Sequence, residues 1–165
     1  SLEVLARYFP ESALAVANDC LTDPSPVVRA AALSALGRLL PDDEALPLLA
    51  THISDPDQDV RAAAVIRLGL MGSAMSSRAL SDWWREERDG EVGRLLVEAL
   101  GRGYAPVGLM ALVEMLESRR DPWAFRAHHR LVCLAGRDVG SPDQWRAWVS
   151  AQEGQVRLTP GSEDE

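Results

Sequence analysis

A pattern of about fifteen residues occurs twice in the sequence, at a spacing of 32 positions. The first copy is DPSPVVRAAALSALG, residues 23–37, and the second is DPDQDVRAAAVIRLG, residues 55–69. A weaker third copy covers residues 87–101, where Leu100 and Gly101 keep the same spacing. A fixed period of this length is typical of stacked repeat units rather than of one globular core.

A second segment of the unit repeats with the same offset. ALAVANDCLTDP, residues 13–24, aligns with ALPLLATHISDP, residues 45–56. Two different segments with one offset indicate a unit of two helices. The sequence therefore predicts an all-α solenoid of about four to five antiparallel helix pairs. We expect one domain, residues 1–153, followed by an acidic and disordered tail, residues 154–165.

Each unit is predicted to contain a first helix, the A helix, and a second helix, the B helix. Asp23 suits the N-cap of the first full A helix, Pro24 its first position and Gly37 its C-cap. The expected A helices cover about 24–39, 56–71, 90–102 and 121–134. The expected B helices cover about 11–21, 42–53, 74–88, 104–119 and 143–152, and a short helix precedes them at 1–8.

Composition limits the classes of partner. The formal net charge is −8, which disfavours non-specific binding to nucleic acid or to an anionic membrane. No apolar run approaches the roughly 18 residues that a membrane-spanning helix needs. The two cysteines, Cys20 and Cys133, lie in apolar stretches of different repeats, which favours buried, reduced thiols in a cytoplasmic protein.

The pattern D-P-x-x-x-V-R-x-A-A-x-x-x-L-G resembles the bacterial HEAT-repeat family over about residues 11–135. The resemblance implies a right-handed, armadillo-like α-solenoid that serves as a protein-binding scaffold. It also implies that Asp23, Asp55, Arg29 and Arg61 form capping and inter-repeat hydrogen bonds. The segment LAGRDVGSPDQWRAWV is similar to the closing segment of such proteins, and we expect it to cap the array.

In such a solenoid the B helices line the concave side, and the period sorts their residues into columns. Val16, Leu48, Leu80 and Leu112 form a core column. The phase of the helices predicts a strip of outward-facing residues, five of them polar and two apolar. They are Asp19, Thr51, Asp82, Trp83, Glu86, Glu114 and Met115. Trp83 and Met115, surrounded by carboxylates, suit an anchor for a basic or amphipathic segment of a protein partner. Alternatively, Trp83 lies buried between repeats.

No motif for chemistry is present, so we expect no catalytic residue, no cofactor and no metal. His129 and Cys133 are four residues apart on one helix face, beside His128, but two such ligands leave the tetrahedral shell of zinc incomplete. Two other functions stay open by analogy with HEAT-like families: a bilin lyase or its accessory protein, and a DNA-binding alkylpurine glycosylase. The first needs a deep polar pocket and the second a basic groove.

Overall fold

The computed structural model describes residues 10–118 and 123–156 of the chain. These two ranges form nine α-helices and one short 3₁₀ helix, Cys20–Thr22, and contain no strand. The α-helices are α1 Pro10–Asp19, α2 Pro26–Leu39, α3 Asp42–His52, α4 Gln58–Met71, α5 Ala74–Trp83, α6 Gly90–Arg102, α7 Pro106–Glu117, α8 Trp123–Ala135 and α9 Pro142–Val156.

The helices pack in two layers. In the A layer, α2 packs on α4, α4 on α6, and α6 on α8. In the B layer, α3 packs on α5, α5 on α7, and α7 on α9. Val28, Val60 and Val92 are each the third residue of their A helix, so the 32-residue period places equivalent residues in equivalent positions. The predicted array of stacked helix pairs is confirmed.

The apolar core lies between the two layers. Leu36, Leu68 and Leu100 of the A layer are fully buried, and they face Leu80 and Leu112 of the B layer across the core cluster. The core column predicted for the B helices is therefore right in the later repeats.

Val16, in the same column, is 43% exposed, and the prediction of a core position is wrong there. Among the described elements, α1 packs only on α2 and on its own 3₁₀ turn, so it has no neighbour in the B layer that would cover this side chain.

Close approach between A helices depends on small residues. A Cβ on Gly69 would lie 2.6 Å from Cβ of Ala99, and a Cβ on Gly37 would lie 3.1 Å from Cγ of Arg67. The C-cap predicted for Gly37 is wrong, because α2 continues to Leu39. Gly37 is needed for helix contact instead, whereas the left-handed cap of α4 is Gly72, with φ of 60°.

The N-cap positions also differ from the prediction. The first full A helix begins at Pro26, with Ser25 as its N-cap, and the carboxylate of Asp23 accepts the backbone N–H of Ser25 at 2.8 Å. Asp57 caps α4, accepting the backbone N–H groups of Asp59 and Val60. Asp23 and Asp55, which lie 32 residues apart, therefore hold the turn before each helix and do not cap the helix itself.

Arginines of the A helices connect successive units. Nε and NH2 of Arg29 donate to the two carboxylate oxygens of Asp55 at 3.0 and 2.8 Å. Arg61 makes the same fork with Glu87 at 2.9 and 3.1 Å. Each arginine also donates through NH1 to two carbonyls of the turn before its own helix. These inter-repeat bonds, which the resemblance implied, form a ladder of two rungs.

The carboxylates of the ladder also hold the turns between units. Oδ1 of Asp55 accepts the backbone N–H of Asp57 at 2.9 Å, and Oε1 of Glu87 accepts that of Asp89 at 2.7 Å. Burial disfavours the charged form of Asp55, but the hydrogen bonds from Arg29 and from the Asp57 amide outweigh it. The pKa of Asp55 therefore lies below its ordinary value.

Several predicted helix ends need correction. The helix expected to reach residue 88 ends at Trp83, because the turn that carries Glu87 to Arg61 begins there. The last helix continues to Val156, so residues 154–156 of the predicted tail are helical. The helix predicted at 1–8, the start of the fourth A helix at 121–122 and the remaining tail, 157–165, lie outside the described residues.

Candidate functional site

The two helix layers carry opposite charge. The described side chains of the A helices include eight arginines and three carboxylates: Arg29, Arg38, Arg61, Arg67, Arg94, Arg102, Arg126, Arg130, Asp59, Glu91 and Glu98. Those of the B helices include two arginines and eight carboxylates: Arg78, Arg146, Asp19, Asp42, Asp43, Glu44, Asp82, Glu114, Glu117 and Asp143. Among these side chains the A helices therefore carry a net charge of +5 and the B helices a net charge of −6.

Five of the seven residues predicted for partner binding have accessible side chains. Asp19, Thr51, Asp82 and Glu86 are exposed, and Glu114 is partly exposed. They follow successive units along the B layer or the turns that end its helices. That this layer forms the concave side stays a prediction.

The two apolar members of the predicted strip are buried. The expectation that they project to solvent is wrong, and for Trp83 the alternative of a buried side chain is correct. Trp83 is 8% exposed and Met115 is fully buried. Trp83 continues the buried stripe of Ser76, Ser77 and Leu80 along α5, at the spacing of one helix face. Met115 is covered because α7 packs against α5 on one side and α9 on the other.

The carboxylates of the B layer differ in their pairing. Glu114 accepts from NH2 of Arg85 at 2.6 Å, and the same guanidinium lies 4.9 Å from the ring centroid of Trp84. Asp19, Asp82 and Glu86 make no ion pair with any residue in the described ranges. These three exposed carboxylates are therefore accessible to a cationic partner.

A cleft with a volume of about 380 Å³ lies beside these carboxylates, between the turns of two successive units. Its lining includes Ser54, Trp83 and Glu86, together with both ends of the Arg61–Glu87 rung. Glu86 contributes the carboxylate that the ladder does not use. A cationic group in this cleft would meet that carboxylate, although Arg88 lines the cleft as well.

Comparison with known families agrees with this architecture. The family model for HEAT repeats matches residues 14–101 and again residues 48–128, which together cover more than half of the chain. The chain belongs to the HEAT-repeat family. No curated protein sequence matches it. The HEAT repeats account for the period and for the ladder of side chains that links the units.

The remaining candidate residues lie at the end of the HEAT array. Sγ of Cys133 is 3.8 Å from Nδ1 of His129, and Nε2 of His128 is 3.2 Å from Oδ1 of Asp138. Within residues 10–118 and 123–156 no group of three or more His, Cys, Asp or Glu could hold a metal ion. The sequence thus placed His129 and Cys133 on one helix face correctly.

The environment predicted for one cysteine is wrong. Cys20 is half-buried, but Cys133 is exposed, because it lies on the same outer stripe of α8 as Phe125 and His129. Neither thiol is in a disulfide. In the described part of the chain, no helix is both long and apolar enough to span a bilayer.

Proposed function

We propose that this HEAT array is a non-enzymatic scaffold that binds a basic or amphipathic segment of a protein partner on its B layer. The observation that carries the proposal is the charge of that layer, eight carboxylates against two arginines among the described side chains. Opposite charge speeds the encounter and excludes acidic partners. Because Trp83 and Met115 are buried, recognition depends on carboxylates and not on an aromatic anchor.

The same charge argues against the DNA-binding alternative on this layer. A DNA-binding groove needs cations that replace counterions along the phosphates. The exposed residues Asp19, Asp82 and Glu86 would repel them.

A peptide titration tests the proposal. A fluorescein-labelled amphipathic peptide rich in Lys and Leu is titrated with the wild type and with the triple variant Asp19→Asn, Asp82→Asn, Glu86→Gln. We expect the triple variant to bind about tenfold more weakly at low salt, and wild-type affinity to fall as salt is added.

The control variant is Asp59→Asn, which removes one exposed carboxylate from the A layer and should leave affinity unchanged. An acidic peptide of the same length should not bind. Equal affinity of the wild type and the triple variant for the basic peptide would exclude the B layer as its binding surface.

A further inference from the structure

Arg67 interrupts the repeat at a position where two helices touch. The matching residues 32 positions before and after it are Ala35 and Ala99, which are 4% and 5% exposed. Ala99 packs on Gly69 of the preceding A helix. In the same way the aliphatic stem of Arg67 packs on Gly37, so that its charged end emerges between α2 and α4.

The guanidinium of Arg67 is poorly compensated at that place. NH2 donates to the backbone carbonyl of Ser34 at 2.6 Å, and no carboxylate of the described residues forms an ion pair with it. Burial and then the positive charge of Arg38 lower the pKa of Arg67. A partly buried guanidinium that bonds a backbone carbonyl through NH2 keeps further N–H donors that can bind an oxyanion.

A cleft with a volume of about 350 Å³ opens at this charge. Ala62, Ala63 and Ile66 of α4 line it, and so do Arg38, Arg67 and Ser34, the last two joined by the hydrogen bond from NH2. Asp59 lines the cleft as well. Asp59 precedes Arg67 by eight residues, which corresponds to about 12 Å along a helix.

We propose that this cleft is a binding site for one oxyanion, a carboxylate or a phosphate, held by Arg67 and Arg38, with an apolar body on the alanines. A planar guanidinium fork suits such a group better than any other side chain. Asp59 at the far end disfavours a ligand that carries a second negative charge there. The site is on the A layer, so it is independent of the proposed peptide surface on the B layer.

The residue that breaks the repeat is the reason to expect function here. An alanine at position 67 would satisfy the helix contact, as Ala99 does against Gly69, without burying charge. Local departures from a consistent pattern tend to mark functional sites.

Thermal melting and NMR titration of the ¹⁵N-labelled protein test the site. Sodium phosphate and sodium propionate are compared with sodium chloride at equal ionic strength. We expect one of the two oxyanions to raise the melting temperature above the chloride value and to shift amides around Ser34 and Ala63. The stronger of the two identifies the ligand group as phosphate or carboxylate.

The variant Arg67→Met keeps an aliphatic stem over Gly37 and should weaken oxyanion binding about tenfold or more. The control Arg102→Met removes an exposed arginine of the same layer and should change nothing. Arg38→Ala, at an exposed position, gives a second test if the first variant folds poorly. Oxyanion effects equal to those of chloride, or undiminished in both Arg67→Met and Arg38→Ala, would overturn the proposal.

Discussion

The ring of Trp123 lies where a side chain on Gly93 would project. A Cβ on Gly93 would be 1.8 Å from the Cη2 atom of that ring. In the two preceding units the same repeat position holds Arg29 and Arg61, each of which pairs with the next unit. At the third interface an aromatic contact thus replaces the ion pair, and glycine is required to admit it.

Gly93→Ala should destabilise the protein by about 2 kcal/mol, because the indole must move from a packed helix interface. The measurement is the free energy of unfolding in urea. The control Gly90→Ala, at the start of the same helix, has open space around the added methyl group and should be neutral or slightly stabilising. If Trp123→Ala removes the penalty of Gly93→Ala in a double-mutant cycle, the two residues are coupled as described.

Arg61→Ala should cost about 2 to 3 kcal/mol in the free energy of unfolding, because it leaves the carboxylate of Glu87 buried without its partner. Arg94→Ala is the matched control. Arg94 pairs with Glu91 on the exposed surface of one helix, so its removal should leave the denaturation midpoint nearly unchanged. Similar losses in the two variants would mean that the ladder adds nothing beyond a surface ion pair.

Trp83→Ala should lower the free energy of unfolding by about 3 kcal/mol, since it removes a buried indole from the packing of α5. Met75→Ala, on the same helix, truncates a side chain that is 66% exposed and should have little effect. Thermal or urea unfolding measures both. An unchanged midpoint for Trp83→Ala would contradict the burial of this side chain and indicate that it is exposed to solvent.

Acid should weaken the first rung of the ladder. Because the pKa of Asp55 is lower in the folded state, its stabilisation is complete above the ordinary pKa of about 3.9 and is lost as pH falls through the folded value. The difference in unfolding free energy between the wild type and Asp55→Asn should therefore shrink below about pH 4. Urea titrations at pH 7 and pH 3 measure it, and a pH-independent difference would refute the assignment.

The period predicted the helix pairs because a side chain in a stacked array meets the same neighbours in every unit. Val28 and Val60 were recognisable as equivalent for that reason. The same logic failed for Trp83 and Met115, which share a column with the exposed Asp19 and Thr51. Burial in the B layer depends on the neighbouring helix: α1 has no neighbour in that layer, and α3 packs less extensively on α5 than α5 packs on α7.

The charge separation between the layers and the unusual position of Arg67 were also absent from the sequence interpretation. Both can be seen only when charges are counted by layer and when a repeat position is known to lie at a helix contact. The sequence did contain a sign of this position. Arg67 stands in one unit where the units before and after it have Ala35 and Ala99. Which carboxylates remain unpaired follows from side-chain reach, which no periodicity encodes.

Each rung of the ladder draws one ion from each of two neighbouring units. Cutting the chain between such units would leave Asp55 or Glu87 without its arginine partner. It would also expose the apolar helix face that the neighbouring unit covers. Neighbours are thus thermodynamically dependent on one another, and we expect this part of the molecule to melt as one cooperative block instead of shedding units singly. Fragments for binding studies should keep residues 23–89 together.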